Sequence, residues 1–224
     1  APVLPRGRRL RPQDLGVLAG LGRILVPVVR RPTIAILSTG DEVVPADQSP
    51  RPGQVRDINS HTLAAFCRSF GAIPRTLGLA PDRFEPLRAQ VEQGLSHADS
   101  VWISGGSSVG MRDLTIQVMD SFPGMEILAH GVSISPGKPT ILARTGSRTV
   151  WGLPGHAASA LVVAEVLLAP FLRRLSRETV NGLPGSARIE AELARNIASA
   201  PGRDDYVRVR LRQRPGQREG AGHF

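Results

Sequence analysis

The sequence predicts an α/β fold: a mostly parallel sheet with helices on both faces, followed by a small, incomplete β module. Three observations carry this reading. Between residues 31 and 176, short apolar runs alternate with stretches of helical periodicity, the pattern of parallel strands joined by helical crossovers. Each loop of unusual chemistry follows the end of an apolar run, where α/β sheets bind their ligands. Past Leu175 the alternation stops and two strand-like segments follow.

Residues 1–30 are rich in Gly, Pro and Arg, with apolar pieces such as ILVPVV, and read as a connecting strand and loop. TIAILS (33–38), bounded by Pro32 and Gly40, reads as a buried strand. Residues 59–70 form a predicted helix, with Asn59 or Ser60 as its cap and Gly71 closing it. IPRTLGL (73–79) is a second strand, and Asp82 is placed to cap a helix over 83–96. SVWIS (100–104) is a third strand, 113–122 a short helix, and 126–129, 139–144 and 149–153 are strand-like. A long helix follows over 156–175, and then strands over 186–197 and 204–213. Two or three strands alone are marginal, so this last module reads as incomplete or packed on the main domain.

Composition excludes several classes. No apolar run reaches the 18 residues of a membrane span. The net charge of +9 invites a nucleic-acid reading, but the cations are scattered, only 4% of residues are aromatic, and no recognition motif is present. The same charge suits a small, highly anionic substrate. The single cysteine, Cys67, lies on the apolar face of the 59–70 helix and reads as core. It excludes an internal disulfide and fits a reducing, cytoplasmic setting.

Five loops could carry chemistry. STGDE (38–42) ends the first strand in adjacent carboxylates, with Asp41 favoured over Glu42. These could hold Mg²⁺ against phosphate or serve as acid or base, or they could be a solvated turn. SGGSSVG (104–110) lacks the Lys-Ser/Thr of a phosphate-binding P-loop and the second glycine of a dinucleotide fingerprint. It offers backbone N–H groups and the Ser107 and Ser108 hydroxyls to an oxyanion, or it is a tight turn. Asp113 is either an N-cap or a metal ligand or base, and the two roles are compatible. SPGKPT holds Lys138, the one lysine among 28 Lys and Arg residues, between two stiffening prolines. A compact ammonium there cannot be exchanged freely for the planar fork of arginine. GLPGHAAS (152–159) opens the long helix with Gly155 and His156 at its mouth. His156 reads as a structural helix-start residue or a phosphate contact. The remaining histidines show no metal-ligand spacing.

Taken in order, STGDE, PGQVRDIN, SGGSSVG with Asp113, SPGKP and GLPG resemble the molybdopterin molybdenumtransferase family, to which the E domain of gephyrin is related. The resemblance runs from about Gly22 to the end of the chain. It implies a molybdopterin-binding α/β domain over 31–176, shared with molybdopterin adenylyltransferases. It also implies that residues 1–30 are the tail of a preceding region and 177–224 the start of a C-terminal β-barrel domain, so that the chain reads as a fragment lacking the N-terminal portion.

The implied reaction combines adenylylated molybdopterin with molybdate (or tungstate), with Mg²⁺, and releases AMP. Carried over by motif, Asp41 and Asp113 would serve Mg²⁺ and the adenylyl phosphate, and Lys138 would contact molybdate or phosphate. Ser104, Gly105, Gly106, Ser107, Ser108 and Gly110 would cradle the pterin phosphate. Asn59, Ser135, Gly137, Pro154, Gly155, His156 and Ser159 would line the pocket. Two departures stand out. Ser135 occupies a place where many members have lysine, and Gly155-His156-Ala157 replaces Gly-Asn-Pro. Family habit implies a homodimer, with a molybdopterin adenylyltransferase as a possible partner. The alternatives are that adenylyltransferase activity itself, or a molybdopterin-binding scaffold without turnover.

Overall fold

The computed structural model describes residues 3–105, 109–179 and 189–212. Its organising strand is β1 (Thr33–Thr39), in which Ile34 and Ile36 face one side of the sheet and Ala35 and Leu37 the other, all buried. A strand without solvent on either face needs helices on both. β4 (Ile73–Ala80) and β5 (Ser100–Gly105) flank β1 in parallel, and β9 (Arg148–Leu153) runs parallel to β5. β8 (Ile141–Thr145) and β6 (Glu126–His130) complete the order β4-β1-β5-β9-β8-β6. These last two strands pair antiparallel. Gly146, at φ +56°, turns the chain between β8 and β9, and so tight a hairpin admits only antiparallel pairing. The predicted mostly parallel α/β class is therefore the observed one.

α2 (Asn59–Ser69) covers one face together with a helical run of α5 (Ala157–Val163), a π turn (Ala164–Leu168) and α6 (Ala169–Leu175). Leu63, Phe66, Val163 and Leu168 pack there with Ile34, Ile36 and Trp102. The π turn precedes Pro170, which has no N–H to donate back along the helix. α3 (Phe84–His97) and α4 (Val109–Asp120) cover the opposite face, with Leu87, Val91 and Met119 on Leu37, Val101 and Ile103. The two-residue strands β2 (Val43–Val44) and β3 (Val55–Arg56) form a small ribbon beyond β1.

Several local expectations are corrected. The cap of α2 is neither Asn59 nor Ser60. Ile58 stands at the N-cap position, and the acceptor for the Ser60 N–H is Asp57 Oδ1 at 3.1 Å. Asp82 does not cap α3, whose N-cap is Arg83; its carboxylate turns to the end of β1 instead, where it accepts the Thr39 hydroxyl and the Asp41 N–H. Asp113 is not a cap either, because α4 begins at Val109 and places it one turn inside.

Residues 1–30, read as strand and loop, contain the helix α1 (Pro12–Gly20). It shows no apolar stripe because its buried side chain is charged. Asp14 receives two hydrogen bonds from the Arg8 guanidinium, at 2.9 and 3.1 Å, and one from the Arg11 N–H at 2.9 Å.

At the other end, the predicted strands over 186–197 and 204–213 are largely unformed among the described residues; 186–188 and 213 lie outside them. Only β10 (Asp204–Asp205) pairs, in parallel with β7 (Ile134–Ser135). Ile189, Leu193, Val209 and Leu211 stay exposed. The alternation is present, but nothing described offers these side chains a second layer.

Cys67 sits in the α2 core, and burial pushes its thiol up to about 12. The thiolate is the reactive form, so native protein at pH 8 should label with a thiol reagent at least tenfold more slowly than protein unfolded in urea. Equal rates would contradict the packing. The Arg8 side-chain hydrogen bonds, foremost, hold the Asp14 carboxyl down at about 2. Its contribution is full above the ordinary carboxylate value and is lost as pH falls through about 2. Protection of the α1 amides against hydrogen exchange, taken relative to the intrinsic rate at each pH, should therefore fall between about pH 4 and pH 2, and Asp14→Asn should remove that dependence.

Candidate functional site

The chain passes from β1 to β4 on one side, then through α3 to β5 on the other side of β1. Strand order thus reverses between β1 and β5, and a crevice opens outside their carboxyl ends. The two ends meet closely. A Cβ on Gly105, at φ +152°, would stand 2.0 Å from the Thr39 carbonyl oxygen, so only glycine lets β5 finish there.

Asp41 follows that meeting point and is exposed. Its carboxylate accepts the Asp82 N–H at 3.1 Å, and its own N–H donates to Asp82 Oδ2 at 3.3 Å. Asp82 Oδ1 accepts the Thr39 hydroxyl at 2.7 Å. The turn is therefore held by Asp82, an acid whose place in the sequence suits a helix cap. Its position after a strand was the available signal, and capping chemistry masked it.

Ser104, beside Ser38 in the β1–β5 register, is 1% exposed. Its hydroxyl has no hydrogen-bond partner among the described residues. A buried orphan hydroxyl is costly, and this one lies where β5 opens toward its loop. Gly106, Ser107 and Ser108 fall outside the described residues. Gly110 lies in the first turn of α4, and Asp113 one turn along is exposed.

On the other flank, Asn59 Nδ2 donates to the Gly155 carbonyl at 2.7 Å, joining the start of α2 to the β9–α5 loop. That helix start is itself anchored by Asp57, 8% exposed, whose Oδ1 accepts the Ser38 hydroxyl at 3.0 Å. Asp57 went unremarked within the RDIN motif, since nothing in its spacing reveals a bond to β1. Pro154 is buried, His156 is the exposed N-cap residue of α5, and Ser159 is half-buried in its first turn.

Lys138 reaches the same edge because Ile141 of β8 pairs with Gly152 of β9. Its backbone is tied on both sides, with the Val132 N–H donating to the Lys138 carbonyl at 2.9 Å and the Thr140 hydroxyl to Gly137 O at 2.7 Å. Gly137, at φ +128°, has no room for a Cβ, which would stand 2.7 Å from Ile134 Cδ1. The lysine side chain is exposed. Ser135 pairs through its backbone with Asp205 of β10, a partner that sequence reasoning did not find.

A groove of about 1330 Å³ lies at the opposite edge of the sheet, between residues 3–32 and Phe70, Asp99 and Leu175. Its Arg30 is paired to Asp99, which also accepts the Thr33 N–H at the start of β1. The side-arm hydrogen bond from Arg30, foremost, holds the Asp99 carboxyl below the usual range. None of the motif loops lines this groove.

Among the described residues, no group of three or more His, Cys, Asp or Glu side chains could hold an ion. Asp41 and Asp113 are exposed carboxylates, suited to Mg²⁺ that keeps waters and takes its other ligands from substrate phosphates.

Comparison with known proteins agrees with this geometry. Residues 35–174 match the family described as a probable molybdopterin binding domain. The chain is 37% identical over 176 residues to a molybdopterin molybdenumtransferase of Nostoc sp., covering 77% of this chain and 40% of that protein. It is 32% identical over 206 residues to that of Haemophilus influenzae, covering 92% of this chain and 50% of that protein. The solved molybdopterin biosynthesis moeA protein of Pyrococcus horikosii aligns with a TM-score of 0.69 and 37% identity, over 78% of this chain and 43% of that one. The chain thus spans half or less of the length of these relatives. The chain belongs to the molybdopterin molybdenumtransferase family through its probable molybdopterin binding domain, whose matched span contains the motif loops.

Proposed function

We propose that this chain acts in molybdenum cofactor biosynthesis, as the part of a molybdopterin molybdenumtransferase that binds adenylylated molybdopterin and molybdate (or tungstate) and releases AMP. The supporting observation is the arrangement at the β1–β5 switch point: an exposed carboxylate at Asp41, the orphan Ser104 hydroxyl, and the Lys138 turn all come to one sheet edge. In this reading 31–176 is the molybdopterin-binding domain, 1–30 the tail of a preceding domain, and 177–224 the start of a C-terminal β-barrel domain. A cytoplasmic homodimer is part of the same proposal. Among the described residues, no helix is long and apolar enough to cross a membrane.

The residues divide the work by their chemistry. Lys138 brings a compact positive charge, on a backbone that cannot drift, to the anionic oxygens of phosphate or molybdate. Ser104, with the loop from Gly105 through Gly106, Ser107 and Ser108 to Gly110, donates hydrogen bonds to the pterin phosphate. Asn59 sets the Gly155 loop, with Pro154, His156 and Ser159 lining the wall. Asp41 and Asp113 would hold Mg²⁺, which when bound supplies charge neutralisation for the phosphate oxygens. Without the ion, their like charge would oppose the substrate's phosphates, so the two carboxylates also make binding dependent on it. The docking of residues 204–206 beside Ser135 favours this reading over the adenylyltransferase, whose fold ends with the α/β domain.

The test is binding of adenylylated molybdopterin, with AMP release scored in the presence of Mg²⁺ and molybdate. Lys138→Ala should weaken binding about 10- to 100-fold, the scale of one charge-assisted hydrogen bond. Lys138→Arg should also lose activity, and wild-type turnover in that variant would refute the role of a compact ammonium. Asp41→Asn should retain the fold and lose AMP release by about 100-fold or more. Unchanged release would remove Asp41 from the reaction.

A further inference from the structure

The short contact between β7 and β10 joins the segment after the α/β domain to the loop that carries Lys138. Asp204 N donates to Ser133 O at 2.9 Å and Tyr206 N to Ser135 O at 2.7 Å, so the pairing holds the chain on both sides of Asp205. In register, Asp205 lies opposite Ser135. Its carboxylate, 12% exposed, takes the Ser199 hydroxyl on Oδ2 and Arg203 Nε on Oδ1 at 3.0 Å, so it knits the 199–205 turn that carries the pairing. Ser199, Arg203 and Ser135 together keep this carboxyl below the usual range.

Three residues beyond Ser135 the chain presents Lys138. The loop between them has little slack, since Gly137 is wedged against Ile134 and Val163. A displacement at Ser135 is therefore passed to the lysine.

We propose that Asp205 is a positioning residue for Lys138: the segment from Ser199 to Tyr206 straps onto Ile134–Ser135 and sets where the ammonium stands at the sheet edge. Anion binding by the α/β domain then depends on chain that lies outside it. The strap engages Ser135 through its backbone, since its carbonyl accepts the Tyr206 N–H. The inference rests on the proposed function only for what Lys138 binds.

A chain with a single lysine allows a direct test. Growth on lysine carrying ¹³C at Cε yields one side-chain resonance, which belongs to Lys138 in the full chain. AMP serves as the phosphate probe. Asp205→Ala should shift or broaden this resonance in the free protein and raise the AMP concentration for half-saturation about tenfold. Ser199→Ala, which removes a hydroxyl held by the Asp205 carboxylate, should do the same in part, which keeps the test open if Asp205→Ala folds poorly. Asp205→Asn, which retains acceptor oxygen, should recover part of both effects. A wild-type resonance and wild-type titration in both alanine variants would overturn the proposal. If AMP fails to perturb Lys138 in the wild type, the substrate reading fails alone. The free-protein resonance would still decide the strap.

Discussion

β1 is buried along six of its seven residues and then breaks into Gly40 and an exposed Asp41, and most of the molecule follows from those two facts. A strand with apolar side chains on both faces must be sandwiched, so the chain crosses it once with α2 and once with α3, on opposite sides. Crossing in both directions makes β1 and β5 neighbours whose connections diverge, and a crevice is left at their carboxyl ends. The depth of that crevice depends on Gly105, because any side chain there would collide with Thr39 and push β5 away.

Carboxylates play two distinct parts around this edge. Asp57, Asp82 and Asp205 spend theirs on the protein itself, accepting hydroxyl and backbone N–H groups from neighbouring segments. Asp57 and Asp82 each join a loop to an element distant in sequence. Asp41, Asp113 and Lys138 are exposed at the same end of the fold. The Asp41 turn is thus held from behind by a second carboxylate, Asp82. Hydrogen bonds to charged groups are stronger than neutral ones, which suits them to segments with few apolar contacts. The surplus of arginine serves the opposite edge in a similar way, where Arg8 and Arg30 are paired with Asp14 and Asp99.

The readable part of this protein was its apolar periodicity. Strands β1, β4, β5, β8 and β9, and helices α2 and α3, fall close to where alternation and helical spacing put them, because burial alone selects those patterns. α1 was hidden for the converse reason, since the side chain it buries is Asp14 and an ion pair leaves no apolar stripe. The C-terminal segment misled in the other direction. Tyr206, Val207, Val209 and Leu211 alternate as a strand should, yet a strand forms only where a partner backbone is in reach, and β7 is two residues long.

By itself the sequence determined the α/β class, the buried strands and their covering helices, the inert Cys67, and the motif residues that gather at one sheet edge. These follow from local periodicity and from loop chemistry written in consecutive letters. Only the tertiary structure decided that Asp82 clamps the Asp41 turn, that Asp57 ties α2 to β1, that Asn59 reaches Gly155, and that Asp205 meets Ser135. Each of these contacts joins residues from 19 to 96 positions apart. A carboxylate or amide satisfies its hydrogen bonds with whatever the fold brings near, so its partner cannot be read from its neighbours in the chain.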